Sequence, residues 1–266
     1  MTAAARRFVS GTAGYTWAGA IGLVAAWWLV AEFGFHRTGS VPTPTSVLGW
    51  LGHNAGDSIY WHAIAVTTLE AAKGYLWGNL LAFAVAAVVM LVPWLEGVAT
   101  QTAIIASCIP LTAIAPLVVL LSGTSSRAAS AFLAGMLVFY TTLIGSILGL
   151  KDADPAALEL VRVYGGGRWR RLVTVRLFAA LPNVMAALRI AAPTAFTGAV
   201  LGEFFLSGVD SGLGIMLMAA QVAIRPQALW ALALTCAAVA GLAYAVVSGI
   251  AVVVTAWARG VGWRAA

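Results

Sequence analysis

Residues Leu158–Pro182 read LELVRVYGGGRWRRLVTVRLFAALP and carry Arg162, Arg168, Arg170, Arg171 and Arg176 around the glycines Gly165, Gly166 and Gly167. The rest of the chain is its opposite. Of 266 residues, 62% are hydrophobic and 9% are charged, against about a quarter charged in an ordinary soluble domain. A water-soluble fold with so little polar surface would expose large apolar patches. The chain therefore reads as an all-α integral membrane protein. An arginine at mid-bilayer costs roughly 2.5–3.5 kcal/mol on insertion scales, so the quoted stretch stands outside the lipid.

Six apolar stretches are long enough to cross, at about 20 residues each: Trp17–Phe35, and stretches within His62–Val92, Thr100–Leu121 and Ala128–Leu150, then about Asn183–Leu206, and one within Gln227–Trp257. The expectation is a single permease-like membrane domain over 1–266. Within it, 17–61 is a retained first span with an outer connection, with cleavage as a signal peptide the alternative. Residues 62–257 form a core of five spans, and 151–182 a helical loop between spans four and five. In the outer connection, Thr45 or Ser46 is expected to cap a short surface helix. With the N-terminus inside, ten cations (Arg6, Arg7, Lys151, Arg162, Arg168, Arg170, Arg171, Arg176, Arg259 and Arg264) face the cytoplasm and three (Arg37, Arg127 and Arg225) face out. That asymmetry puts both termini and the arginine-rich loop in the cytoplasm of a cell (inner or plasma) membrane.

Inside the loop, Asp154 suits an N-cap and Pro155 a first helical position. Leu158, Val161 and Val163 offer an apolar stripe, and the glycines permit a sharp turn into a second helix near Arg168. Two short helices with apolar and charged faces suit docking to a soluble partner. Topogenic charge alone explains the arginines, but not the glutamate or the glycines.

These residues resemble the "EAA" loop of permease subunits of ABC importers, the binding-protein-dependent transport family, whose pattern is E-A-A, three residues, G, nine residues, I-x-L-P. Glu159 stands at the glutamate, Gly165 at the glycine, Val175 and Leu177 at the isoleucine and leucine. Leu160 and Val161 replace the alanines, and Phe178 the proline. VPTPTSVL, CIPLTAIAPLVVLLSG and GEFFLSGVDSGLG are similar to further segments of the nitrate/sulfonate/taurine branch, with Pro110, Pro116, Glu203 and Gly212–Gly214 at matching places. The resemblance implies a type I importer permease fold of six helices. It also implies a second permease subunit, identical or homologous, two cytoplasmic ATPase subunits that bind ATP and Mg, and an extracytoplasmic substrate-binding protein. The substrate would be a small anion or small organic solute. No cofactor is expected in this chain, which has no P-loop, and its partners are proteins and membrane lipids rather than nucleic acid.

On that reading Glu159, Arg162, Gly165, Gly166, Arg168 and Leu177 form the ATPase-coupling loop. Ser107, Pro110, Thr112, Pro116 and Glu203 are candidates for the pathway or gate. No catalytic or metal residues are expected. Glu203 reads either as a gate or binding-protein contact or as a snorkelling carboxylate. Glu70 and Lys73, one turn apart, are expected to pair. Arg189 is expected to snorkel. Cys108 and Cys236 read as buried small hydrophobes. Gly74/Gly78, Gly145/Gly149 and Gly198/Gly202 mark close helix packing, within or between subunits. An intramembrane enzyme lacks a nucleophile or metal constellation here. A small secondary transporter remains the alternative, although no internal repeat supports it.

Overall fold

The computed structural model describes residues 18–35, 39–92, 94–123, 126–206 and 210–262. Among them every regular element is helical: α1 (Ala18–Gly34), α2 (Pro44–Asn54), α3 (Ser58–Leu91), α4 (Leu95–Ser107), α5 (Leu111–Ser122), α6 (Ala128–Lys151), α7 (Pro155–Val163), α8 (Arg168–Glu203), α9 (Leu213–Val222) and α10 (Pro226–Gly262). Four of these, α3, α6, α8 and α10, are long and apolar enough to cross a membrane.

The chain divides into two compact units. One comprises residues 1–60 and 217–234. In it Trp27 stacks on Trp230 at 5.5 Å and donates its indole N–H to the Pro42 carbonyl at 3.1 Å. α2 begins one residue before the expected caps: Thr43 is the N-cap, accepting from the Ser46 amide, and Pro44 takes the first turn, where its missing N–H costs nothing. Val47 is the fully buried anchor of this helix.

The second unit, 61–216 and 235–266, is organised by α6 and α8. Gly198 lies against Ala134 and Gly202 against Ser130, while Gly145 lies against Ala187 and Gly149 against Asn183. The pairs advance in opposite directions, so the two helices run antiparallel. A Cβ at Gly198 or Gly202 would fall 2.6 or 2.5 Å from a backbone Cα of the partner helix. Gly74 and Gly78 of α3 lie on Ala131–Gly135 of α6, here in parallel register, and Trp77 fills the space over Gly135 while donating to the Ala131 carbonyl. All three glycine pairs therefore serve packing within the chain. Small residues suit this role because lipid supplies no hydrophobic drive for helices to associate, and close backbone approach replaces it.

Two boundaries differ from the sequence reading. The third apolar stretch is not one helix. It breaks after Ser107, and Pro110 stands in extended conformation (φ −61°, ψ 122°) as the N-cap of α5. Proline disfavours helix at the residue before it and cannot donate to the turn above. Since α3 and α6 are parallel, the chain between them must return the full length, and α4 and α5 together (13 and 12 residues) match the 24 of α6. The fifth stretch starts at Arg168, not Asn183, and the helix runs through Pro182 and Pro193. Gly149 of α6 packs on Ala180 and Asn183, on both sides of Pro182, and this contact holds the helix together across the missing hydrogen bond. Its first turns widen to a π-helical turn at Leu172–Arg176.

Gly198→Val is expected to lower stability by at least about 1–3 kcal/mol through overpacking. Gly249→Ala, where nothing lies within 4 Å of the new Cβ, should be neutral or stabilising by up to about 1 kcal/mol. Thermal unfolding of the purified variants compares the two; equal loss at both sites would contradict the α6–α8 contact.

Candidate functional site

One end of the second unit holds a buried polar cluster. α3 places Thr67 and Glu70 on one face, one turn apart, at 0% and 3% exposure. α8 ends on Glu203, also fully buried. The Thr67 hydroxyl donates to Glu203 Oε1 at 2.7 Å and accepts from the Leu213 amide at 2.9 Å. The Gly214 amide donates to Glu203 Oε2 at 2.6 Å. Two of the otherwise unpaired amides at the start of α9 are thus satisfied, and the helix N-terminus meets a carboxylate. The glycines allow the approach: a Cβ on Gly212 (φ 154°) would fall 2.6 Å from the Glu203 carboxyl, and one on Gly214 2.4 Å from the Val200 carbonyl oxygen.

Arg127, the residue before α6, closes the cluster. Its Nη1 donates to Glu70 Oε1 at 2.8 Å, and its Nη2 to the carbonyl and hydroxyl of Ser211 at 2.8 and 3.1 Å. The expected Glu70–Lys73 pair is corrected here. Glu70 turns inward to Arg127, while Lys73 is exposed. Glu203 is likewise no snorkelling side chain, because both its oxygens are engaged inside the protein. Arg189 is half-buried and its Nε turns back to the Met185 carbonyl at 3.3 Å.

At the opposite end, beyond Lys151, the chain forms an exposed knob. Asp154 accepts from the Ala156 amide at 2.9 Å with Pro155 in the first turn, and α7 follows. Glu159 and Arg162 are exposed and 3.5 Å apart, a pair of small energetic weight. Gly165 takes φ 77°, which a side chain rarely adopts. Gly166 is buried on Val161, whose carbonyl accepts its amide at 2.8 Å. Arg168 donates to the Leu91 carbonyl at 3.3 Å, and Arg176 reaches Met90 Sδ at 2.7 Å. Two cations thus hold the C-terminal end of α3, where the helix dipole favours them. Leu172 is buried in a core with Met90, Ile147 and Leu150. Leu160, Val163, Tyr164, Trp169, Leu177 and Phe178 are exposed.

The α4–α5 break is a third feature. Pro110, Thr112 and Pro116 are exposed, and Pro116 lies inside α5; the side chain of Ser107 falls outside the described residues. Cys108 is exposed in the break, not buried, and Cys236 is half-buried; both are free thiols. The pathway candidates do not form one site: Glu203 belongs to the cluster with Thr67 and α9.

Residues 78–260 match the family described as the binding-protein-dependent transport system inner membrane component. The chain belongs to that family, the permeases of ABC importers. It is similar to a probable ABC transporter permease protein of Haemophilus influenzae, with 30% identity over 209 residues, 79% of this chain and 83% of the relative. It is also similar to the riboflavin transport system permease protein of Chloroflexus aurantiacus (25%, covering 68% and 66%) and to a putative aliphatic sulfonates transport permease protein of Escherichia coli (24%, covering 76% and 75%).

In this permease the sequence reading singled out Glu203 and Gly212–Gly214 but missed Thr67, Arg127 and Ser211. Arg127 read as a topogenic charge, and its partner lies 57 residues away. The usable signal was a charge imbalance: two carboxylates flank apolar segments, and an arginine sits at the start of a neighbouring one. The buried Thr142–Asn79 hydrogen bond (2.6 Å) between α6 and α3 was also missed.

Arg127→Ala leaves Glu70 buried without its counter-charge. The expected loss is on the order of 3 kcal/mol, the low end for a buried pair because the guanidinium is about a third exposed. Lys73→Ala should change stability by less than about 0.5 kcal/mol. Thermal melts of the two permease variants test the assignment, and a Lys73→Ala loss as large as that of Arg127→Ala would reverse it.

Proposed function

We propose that this permease works as one half of the membrane core of an ATP-driven importer and receives its driving motion through residues 151–182. The observation that carries this reading is the knob. Glu159 and the exposed Leu160, Val163, Tyr164 and Trp169 stand beyond the helix ends on a support that is itself anchored by Leu172, Arg168 and Arg176. Exposed apolar side chains beside charge on a fixed base suit a protein partner. α8 is 36 residues long, about 54 Å, against a hydrocarbon core of about 30 Å, so its arginine-bearing turns project from the bilayer. Movement imposed on the knob then passes along α8 and, through the glycine contacts, to α6. ATP and Mg belong to the separate ATPase subunits in this reading.

Six crossings follow if α1 crosses once and α4 with α5 together once, besides the four long helices. The cation asymmetry then supports termini and a knob on the cytoplasmic side of the cell membrane. The α4–α5 break supports a second permease subunit. Irregular backbone at membrane depth is tolerated only where protein covers it or where it lines a water-filled path, and the break is exposed in this chain. Pro110, Thr112 and Pro116 are therefore assigned to the subunit contact or the pathway. A substrate-binding protein delivers solute on the other side. The names of the relatives, which transport riboflavin or aliphatic sulfonates, support a small organic solute or small anion. Family membership replaces the secondary-transporter alternative.

Glu159→Ala and Gly165→Pro are expected to weaken co-purification of the ATPase subunits or to uncouple ATP hydrolysis from uptake. Proline cannot adopt the φ of Gly165. Pull-down in mild detergent and uptake in reconstituted vesicles measure both effects, and unchanged recovery and transport in both variants would refute the coupling role.

A further inference from the structure

An open groove of about 490 Å³ runs along the flank of α3 and α6. Glu70, Lys73 and Trp77 of α3 line it, with Arg127 and Phe132 at the start of α6. Trp77 and Phe132 stack across the two helices, with ring centres 5.7 Å apart and planes 19° apart, and give the groove an aromatic floor. The helices are parallel, so this floor lies a turn or more further along them than Lys73 and Arg127. Glu70 is buried and bound to Arg127, whose side chain is still about a third exposed. Lys73 is exposed and makes no hydrogen bond or ion pair among the described residues. The groove therefore carries one uncompensated positive charge.

The depth of that charge is fixed by packing. α6 has 24 residues, about 36 Å, against a hydrocarbon core of about 30 Å. Its start at Arg127 thus stands at the edge of the bilayer, where lipid phosphates lie. Gly74 packs on Ala131 and Ala134, so Lys73 enters one turn inside that edge, and its stem can reach back to the phosphate layer. Leu69, Leu76 and Leu80 share its stripe of α3 and are exposed. Lys73 is the one charge on that apolar stripe. An apolar protein surface laid over it would bury the charge unpaired, and a water-soluble anion would leave the aromatic floor bare. A phospholipid fits both parts. A zwitterionic headgroup brings its own cation against Lys73 and Arg127, whereas an anionic one brings only the phosphate. We propose that this groove holds one anionic glycerophospholipid, its phosphate on Lys73 and the open face of Arg127 and an acyl chain over Trp77 and Phe132, sealing the seam between α3 and α6.

Native mass spectrometry of the full-length permease, released from micelles holding equal amounts of phosphatidylglycerol and phosphatidylcholine, reads the bound lipid directly. The wild type should retain one phosphatidylglycerol in preference to phosphatidylcholine. Lys73→Ala should lower that retention about fivefold, the factor that one lysine contributes beside an anionic membrane surface. Arg225→Ala removes an exposed cation outside the groove and should retain the lipid as the wild type does. Equal retention of the two lipids by the wild type, no loss in Lys73→Ala, or an equal loss in both variants would overturn the proposal. The wild-type preference decides even if a variant folds poorly. As a second readout, added phosphatidylglycerol should raise the melting temperature of the wild type in detergent more than that of Lys73→Ala, while without lipid the two should melt alike. Inorganic phosphate and methanesulfonate should not reproduce this rise. If either soluble anion does so, the groove is a site for a free anion and the lipid assignment is wrong.

Discussion

The fold rests on the contact of bare backbone between α6 and α8. Two helices of a membrane protein gain nothing by hiding apolar side chains from lipid, so their association depends on dispersion and on close approach. Gly145, Gly149, Gly198 and Gly202 supply that approach over most of the length of α6, facing Ala134, Ser130, Ala187 and Asn183. α3 then joins through Gly74 and Gly78 on the neighbouring face of α6. Bulk at any of these positions meets backbone or Cβ atoms, not the yielding end of a long side chain.

That contact has two ends, and each carries a polar assembly of a different kind. At the Glu203 end the carboxylates are buried and hydrogen-bonded to their neighbours, and Thr67, Arg127 and Glu203 fix α3, α6, α8 and the start of α9 to one another. At the other end the chain projects, α7 turns back at Gly165, and apolar side chains remain uncovered. A cluster that ties several helices together resists rearrangement, whereas an uncovered apolar surface beside charge suits a protein contact. The pairing of a fixed end with an open one, on the same pair of helices, fits the coupling role proposed for residues 151–182.

Much of this was legible in the sequence because its chemistry is local. Apolar run length located α3, α6 and α10, and Asp154–Pro155 announced the start of α7. Where the sequence misled, tertiary contact had overridden a local signal. The charge of Arg168–Arg176 and the presence of Pro182 suggested a loop, yet packing of Gly149 against Ala180 and Asn183 carries the helix through. Thr100–Leu121 read as holding one crossing stretch, and before Pro110 the helix stops altogether. The Glu70–Arg127–Ser211 and Thr67–Glu203 links were hidden because their members lie 57 to 136 residues apart, and i, i+3 spacing offered Lys73 as a nearer but wrong partner.

The account stands on the knob and the carboxylate cluster lying on opposite sides of the membrane at the two ends of α6 and α8. Sided cysteine labelling tests this most directly. With Cys108 and Cys236 replaced by serine, single cysteines at Tyr164 and Asp210 are exposed to an impermeant thiol reagent in intact cells and in inverted vesicles. The account predicts labelling of Asp210→Cys in cells only and of Tyr164→Cys in inverted vesicles only, with Tyr164→Cys protected when ATPase subunits are bound. Labelling of both positions from the same side would contradict it.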